Sequence, residues 1–464
     1  MLDLQEQRLF TFCRFMSDRG HWSGSYGFTL AAIGSAVGLG NLGRFPYLAG
    51  MNGGGAFVLL YLFLSIVLGV SLLIAEQALG RHFTTSPYGA FRSIHPKFGF
   101  TGTIAILANC LIFSFYGMIG GWVIFYLVTS IFCPSYQTPE GFAQFSSGIA
   151  LPILAQLCFM FLTGLLVWFG IAKGIEKGNR IMMPMLFIIL ILMCVRSLTL
   201  PGAMEGVAFL FKPDFSKISA ETVVAAMGQV FFSMSVGFGI MLTYASYLKK
   251  DTNIIKTSWA VALSNCLVAV LAGLAILPTV FSFNMEPAQG PGLMFIAIPE
   301  VFRMMTGGYW FGILFFILVF FAALSSSISI LEVPVTYLVD EHKISRKKAV
   351  VIASSICTAL GILCTLSMGS TLGWFKIGGL GIFDLMDFIS NNILLPVGGV
   401  LLCVLIAYVW GMKGVLAEIT QDGKTPFYGQ KCWCFIIRYL APLAIICILF
   451  SGTGIFDIIS AYIE

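Results

Sequence analysis

The chain has 464 residues, 58% of them hydrophobic and only 10% charged, with a formal net charge of +5, whereas ordinary soluble domains are about 45–50% apolar and about 25% charged. A soluble fold of this length has no means of hiding so much apolar surface, so the excess faces lipid and the chain reads as an all-α polytopic membrane protein. Stretches able to span about 30 Å of hydrocarbon as helix fall at 25–49, 55–79, 99–132, 149–170, 181–200, 221–247, 257–281, 308–338, 348–367, 378–409 and 433–456, which predicts eleven transmembrane helices. The first follows a short basic segment and outruns a signal peptide, so it reads as a retained span. No hydrophilic stretch is long enough for a soluble domain, and residues 1–464 are expected to form one unit with short helices in the loops 201–220 and 282–307.

Lysine and arginine set the orientation. They cluster at Arg8–Arg19, Arg81–Lys97, Lys173–Arg180, Lys249–Lys256, Lys343–Lys348 and Lys413–Arg438, all on one side, against scattered Arg44, Arg196, Lys212, Lys217, Arg303 and Lys376. The N-terminus is therefore expected in the cytoplasm and the C-terminus in the extracellular or periplasmic space, across the plasma (inner) membrane. Nothing points to a nucleic-acid partner, and the oligomeric state is open.

The 12 cysteines lie mostly inside apolar runs without metal-ligand spacing and read as packing residues. His21, His82, His95 and His342 flank apolar runs, and no span contains a histidine. An enzyme is a poor reading.

Two spans carry glycines near mid-membrane: Gly34-Ser-Ala-Val-Gly-Leu-Gly-Asn41 in the first and Ser233-Met-Ser-Val-Gly-Phe-Gly239 in the sixth. A single such span would only signal close packing. Two matched ones, flanked by hydroxyls and amides, point to an inverted-repeat carrier whose site uses freed carbonyls and half-helix ends. Arg44, Asp384 and Asp387 either snorkel or form an external salt bridge. Asn41, Asn265, Ser325 and Ser326 offer oxygens suited to a hard alkali cation, although a membrane serine usually bonds its own i−4 carbonyl. Glu76 and Glu332 are buried carboxylates for which a structural role and a proton-handling role are equally open.

Trp22, the run from Gly34 to Pro46, Asn52-Gly-Gly-Gly-Ala-Phe57, Gln229 to Gly239, Ser325-Ser-Ser327 and Asp384-Leu-Met-Asp387 together closely resemble the neurotransmitter:sodium symporter family, in its bacterial amino-acid transporter branch. The resemblance covers nearly the whole chain. It implies the leucine-transporter fold, five helices plus five in inverted repeat, with one further C-terminal helix: residues 24–200, 220–410 and 432–458. Inverted repeats with broken helices at the midplane are the established architecture of such carriers.

Residue by residue, the resemblance implies a first sodium site from the Ala36 carbonyl, Asn41, Ser233 and Asn265, and a second from the carbonyls of Gly34, Val37 and Ala322 with the hydroxyls of Ser325 and Ser326. The substrate carboxylate would meet the amides of Leu39 and Gly40 and the Tyr116 hydroxyl. Its amine would meet the carbonyls of Ala36, Phe232 and Ser233. The side chain would lie among Ile112, Tyr116, Phe232, Ser235, Phe238, Ser326 and Ile330, an almost wholly apolar lining. The resemblance also implies an outer gate of Arg44 with Asp387 and Tyr116 over Phe232, an inner gate of Arg19 and Asp340 with Trp22 and Tyr247, and a Gly-x9-Pro motif at Gly174 and Pro184. Monoamine carriers of the family have aspartate where this chain has Gly38. Ala269 stands where chloride-dependent relatives have serine and the bacterial leucine transporter has glutamate, so chloride is a candidate ion that neither family rule decides, with Tyr61, Gln229, Ser233 and Asn265 able to surround it. The implied activity is sodium-coupled symport of hydrophobic L-amino acids, with a proton-coupled carrier or a non-transporting amino-acid sensor as rivals.

Overall fold

The computed structural model describes residues 20–283, 285 and 293–455. In chain order its principal helices are α1 (Ser25–Ala36) and α2 (Phe45–Met51), α3 (Gly55–Phe83), α4 (Pro96–Phe132), α5 (Ala150–Trp168), α6 (Ile171–Leu198), α7 (Ala220–Ser233) and α8 (Ile240–Ala245), α9 (Ile254–Ser282), α10 (Gly308–His342), α11 (Arg346–Ser367), α12 (Ile382–Thr420) and α13 (Gln430–Gly452). Among the described residues, the nine from α3 to α6 and from α9 to α13 are long and apolar enough to cross a membrane. The expected spans 25–49 and 221–247 are absent from that set because each is broken, into α1 and α2 and into α7 and α8. Short helices Ala203–Phe211 and Ile298–Met304 occupy the two loops where they were expected.

Two boundaries differ from the sequence reading by ten residues or more, the rest by about a turn or less. The helix expected at 181–200 begins at Ile171 with a wide π-type turn over Ile171–Glu176; Lys173, Glu176, Lys177 and Arg180 depress its hydropathy, but Glu176 is buried and ion-paired to Arg180. The helix expected to end at 409 continues to Thr420, because Glu418 near its end is held by the buried Arg81.

Local chemistry sets the helix starts. Ser219 and Thr222 form a reciprocal capping box at the head of α7, and the Asn253 side chain accepts from Lys256 N to cap α9. Along α6, Ile181, Met185, Ile188, Leu192 and Val195 are exposed at three- and four-residue spacing, a lipid-facing stripe rather than a defect in the core. Inside this shell, α1 packs against α6, α9 and α10.

Candidate functional site

The site begins where α1 stops. Ala36 is its last residue, Val37 turns extended at φ −86° and ψ 93°, and helix resumes only with the wide turn Gly40–Arg44. The second break follows Ser233, where Ser235, Gly237 and Gly239 all take positive φ, at 53°, 86° and 69°. Glycine supplies that conformation cheaply at two of the three positions. Glu76 is buried, and its Oε1 accepts from Gly237 N at 2.6 Å. Of the two roles left open for Glu76, the structure displays the structural one.

The breaks place carbonyl ends beside buried amides. Asn41 Nδ2 donates to Asn265 Oδ1 at 2.8 Å, while Tyr61, Ser233 and Asn265 bond one another at 2.9–3.1 Å. The Asn265 amide atom facing the break lies 3.1 Å from Ala36 O and 3.2 Å from Ser233 O. As NH2 it donates to both; as oxygen it joins them in an acceptor cluster that a cation reconciles. Asn41 Oδ1 is also buried there without a partner. This donor set, all oxygen and without a carboxylate, fits a hard monovalent cation at the negative ends of two helices. Nearby, Gln229 Nε2 is committed to Gly40 O at 2.9 Å, and Ala269 is buried.

The residues expected for the second cation also converge. Ser325 Oγ donates to Ala322 O at 3.1 Å and Ser326 Oγ to Ser35 O at 3.4 Å, and a Cβ on Gly34 would lie 3.2 Å from Ser325 Cβ.

Between the breaks lies a small cavity lined by Ala36, Gly38, Leu39, Gly40, Ile112, Tyr116, Phe232, Ser233, Ser235, Phe238, Ser326 and Ile330. Every expected substrate contact is therefore in one place. The lining is largely apolar, as expected, with two further hydroxyls that sequence did not single out: Ser35 and Ser329 also line the cavity and bond each other at 2.7 Å. Ser329 sits one turn beyond Ser326, a spacing that could have revealed it. The buried Tyr116 hydroxyl makes no hydrogen bond within 3.5 Å, with the Ser326 hydroxyl and the Leu39 backbone amide beside it, and a Cβ added to Gly38 would lie 3.7 Å from it and collide with Ser326 Oγ.

The two ends of the molecule differ. At one, exposed Arg44 lies over the Phe232 ring at 5.0 Å and makes no ion pair within 4.0 Å with Asp387, whose Oδ1 accepts from Asn391 at 2.7 Å. At the other, Trp22 donates to Tyr244 O at 2.8 Å, and Asp340 accepts from Ser86 N at 2.7 Å. Arg19 lies outside the described residues. Tyr247 donates to Glu332 at 2.8 Å, and Glu332 is held bidentately by Arg346 at 2.8 and 2.5 Å. Sequence reasoning missed Arg346, which reads there only as a basic loop residue.

Paired broken helices around a largely apolar cavity with oxygen clusters at the breaks are the architecture of a secondary carrier. The sodium:neurotransmitter symporter family model matches residues 19–137 and 143–459, and the chain belongs to that family. It is 40% identical over 444 residues to the sodium-dependent transporter YhdH of Bacillus subtilis, covering 94% of this chain and 98% of the relative. A sodium-dependent transporter of Haemophilus influenzae is 35% identical over 453 residues, covering 94% and 98%. The crystal structure of MhsT in complex with L-phenylalanine matches with a TM-score of 0.85 at 40% identity, covering 94% of this chain and 100% of that one. The chain is thus a multi-pass, sodium-coupled membrane transporter.

Proposed function

We propose that the protein carries hydrophobic L-amino acids, aliphatic or aromatic, into the cell with sodium by alternating access. In this reading one sodium ion binds Ala36, Asn41, Ser233 and Asn265 and touches the substrate carboxylate. A second binds Gly34, Val37, Ala322, Ser325 and Ser326. The repeats are 24–200 and 220–410, with 432–458 as the added helix, and the Trp22 end faces the cytoplasm. The outer gate, Arg44 with Asp387 and Tyr116 over Phe232, closes on loaded substrate.

The observation that carries the substrate class is Gly38. With no side chain there, the cavity supplies no carboxylate to the first cation, and Ser326 fills the space an aspartate would need. The unpartnered Tyr116 hydroxyl adds a donor for an anion. An amine lacking its own carboxylate would leave cation and donors unmet, at a cost of about 1–3 kcal/mol each. Charged side chains find no counter-ion among Ile112, Phe238 and Ile330. The phenylalanine bound by MhsT supports the same class.

The test pairs tyrosine with tyramine and leucine with isoamylamine in competition for the purified protein, in sodium and in choline. Binding should require sodium, and each amine should be at least about tenfold weaker, equivalent to about 1.4 kcal/mol. Equal potency of acid and amine would overturn the amino-acid assignment, and sodium-independent, proton-dependent binding would favour the proton-coupled rival.

A further inference from the structure

Asn179 lies in α6 between Gly174 and Pro184 and is fully buried. Its Nδ2 donates to Ile175 O one turn back, at 2.9 Å. That bond fixes the amide, because the reversed orientation would set two oxygens against each other. Oδ1 is left buried without a partner. It is aimed at α1: a Cβ on Gly34 would collide with Asn179 Oδ1 on one side and approach Ser325 Cβ on the other. Three helices, α1, α6 and α10, therefore meet at one point.

The neighbouring hydroxyls on α10 have no proton to spare. Ser325 Oγ has its proton committed to Ala322 O, and Ser326 Oγ donates to Ser35 O. An orphaned buried amide oxygen beside hydroxyls that already donate elsewhere can be satisfied by a cation. We propose that Asn179 Oδ1 completes the oxygen shell of the second sodium ion, so that α6 as well as α1 and α10 holds it. This rests on the reading that Gly34, Val37, Ala322, Ser325 and Ser326 bind sodium.

The position of Asn179 along α6 also has a mechanical consequence. The wide turn Ile171–Glu176 precedes it and Pro184 interrupts the helix after it, so α6 is weakened on both sides. Glu176 on the same helix also grips the start of α1, accepting from Ser23 N at 2.9 Å and pairing with Arg180 at 2.6 Å. A shift of α6 away from α1 would withdraw Asn179 Oδ1 and this clasp together.

The experiment measures sodium chloride alone against the full-length purified protein, as thermal stabilisation, and sodium-dependent binding of radiolabelled phenylalanine, for Asn179→Ala, Asn179→Asp and Ser325→Ala. Asn179→Ala should raise half-saturating sodium at least about fivefold, the effect of losing about 1 kcal/mol, with phenylalanine affinity at saturating sodium within about twofold of wild type. Asn179→Asp, nearly isosteric and bearing a stronger ligand, should restore sodium dependence to wild type or better. Wild-type sodium dependence in Asn179→Ala beside a raised requirement in Ser325→Ala overturns the proposal while leaving the sodium site standing. Equal loss in Asn179→Asp and Asn179→Ala overturns it too, because it marks a packing role. No effect from Ser325→Ala removes the sodium site and the proposal with it.

Discussion

The Trp22 end and the Arg44 end are built from the same kinds of residues but are in different states. At the Trp22 end the groups are joined: Arg346 to Glu332, Arg180 to Glu176, Arg81 to Glu418, Trp22 to Tyr244. At the Arg44 end the guanidinium rests on Phe232 and Asp387 is engaged by Asn391. The bonds of the first end include ion pairs that each have at least one buried partner, Glu332, Glu176 or Arg81, where breaking the pair strands a charge. Those of the second are partly solvated and exchange at small cost. One end is joined while, on the proposed gate, the other holds Arg44 and Asp387 apart, the asymmetry alternating access requires of a carrier open on one side.

Breaking the joined end should give the largest effect. Glu332→Gln leaves Arg346 buried without its counter-charge, at a cost of about 3–5 kcal/mol, enough to shift a two-state equilibrium by more than about a hundredfold. Net uptake should be lost, and amide hydrogen exchange should rise across 240–248 and 332–346. Unchanged uptake and protection would show that the buried pair does not hold this end shut.

Next comes the pivot between the ends. Asn265→Ala removes an oxygen from the first cation cluster, and because linkage is reciprocal it should weaken sodium and substrate binding together, by about 1–3 kcal/mol. Sodium-dependent uptake at the wild-type level would sink that assignment.

The Arg44 end is tested by Asp387→Ala, which should abolish net uptake while leaving equilibrium binding within about threefold, since the ion pair forms only on closure. Loss of binding in proportion to uptake would contradict a gating role. The smallest expected effect concerns chloride. Ala269 puts no negative charge beside the first cation cluster, so uptake in gluconate should fall modestly below uptake in chloride, and full activity without chloride removes that expectation.

The breaks were legible in the sequence because glycine is the residue that turns a membrane helix without strain, and Gly34 to Gly40 and Gly237 with Gly239 stand out against apolar neighbours. The cation and substrate residues followed from the family resemblance, and they converge in space. What sequence concealed was cross-chain partnership. Asn179 lay outside the expected 181–200 helix, since Lys173, Glu176, Lys177 and Arg180 read as loop until their pairing is seen. Arg346 read as a solvated charge, although it reaches back to bury itself against Glu332. Ser35 and Ser329 read as ordinary membrane serines, and only the cavity shows them sharing one floor with Ser235 and Ser326.

The central claim is sodium-coupled amino-acid transport, and the most direct measurement is uptake of radiolabelled leucine or phenylalanine by the reconstituted protein in liposomes with sodium outside and potassium inside. The account predicts accumulation above the external concentration that collapses when the sodium gradient is removed by ionophore and does not arise from a proton gradient alone. Binding without accumulation, or accumulation driven by protons in the absence of sodium, would contradict it.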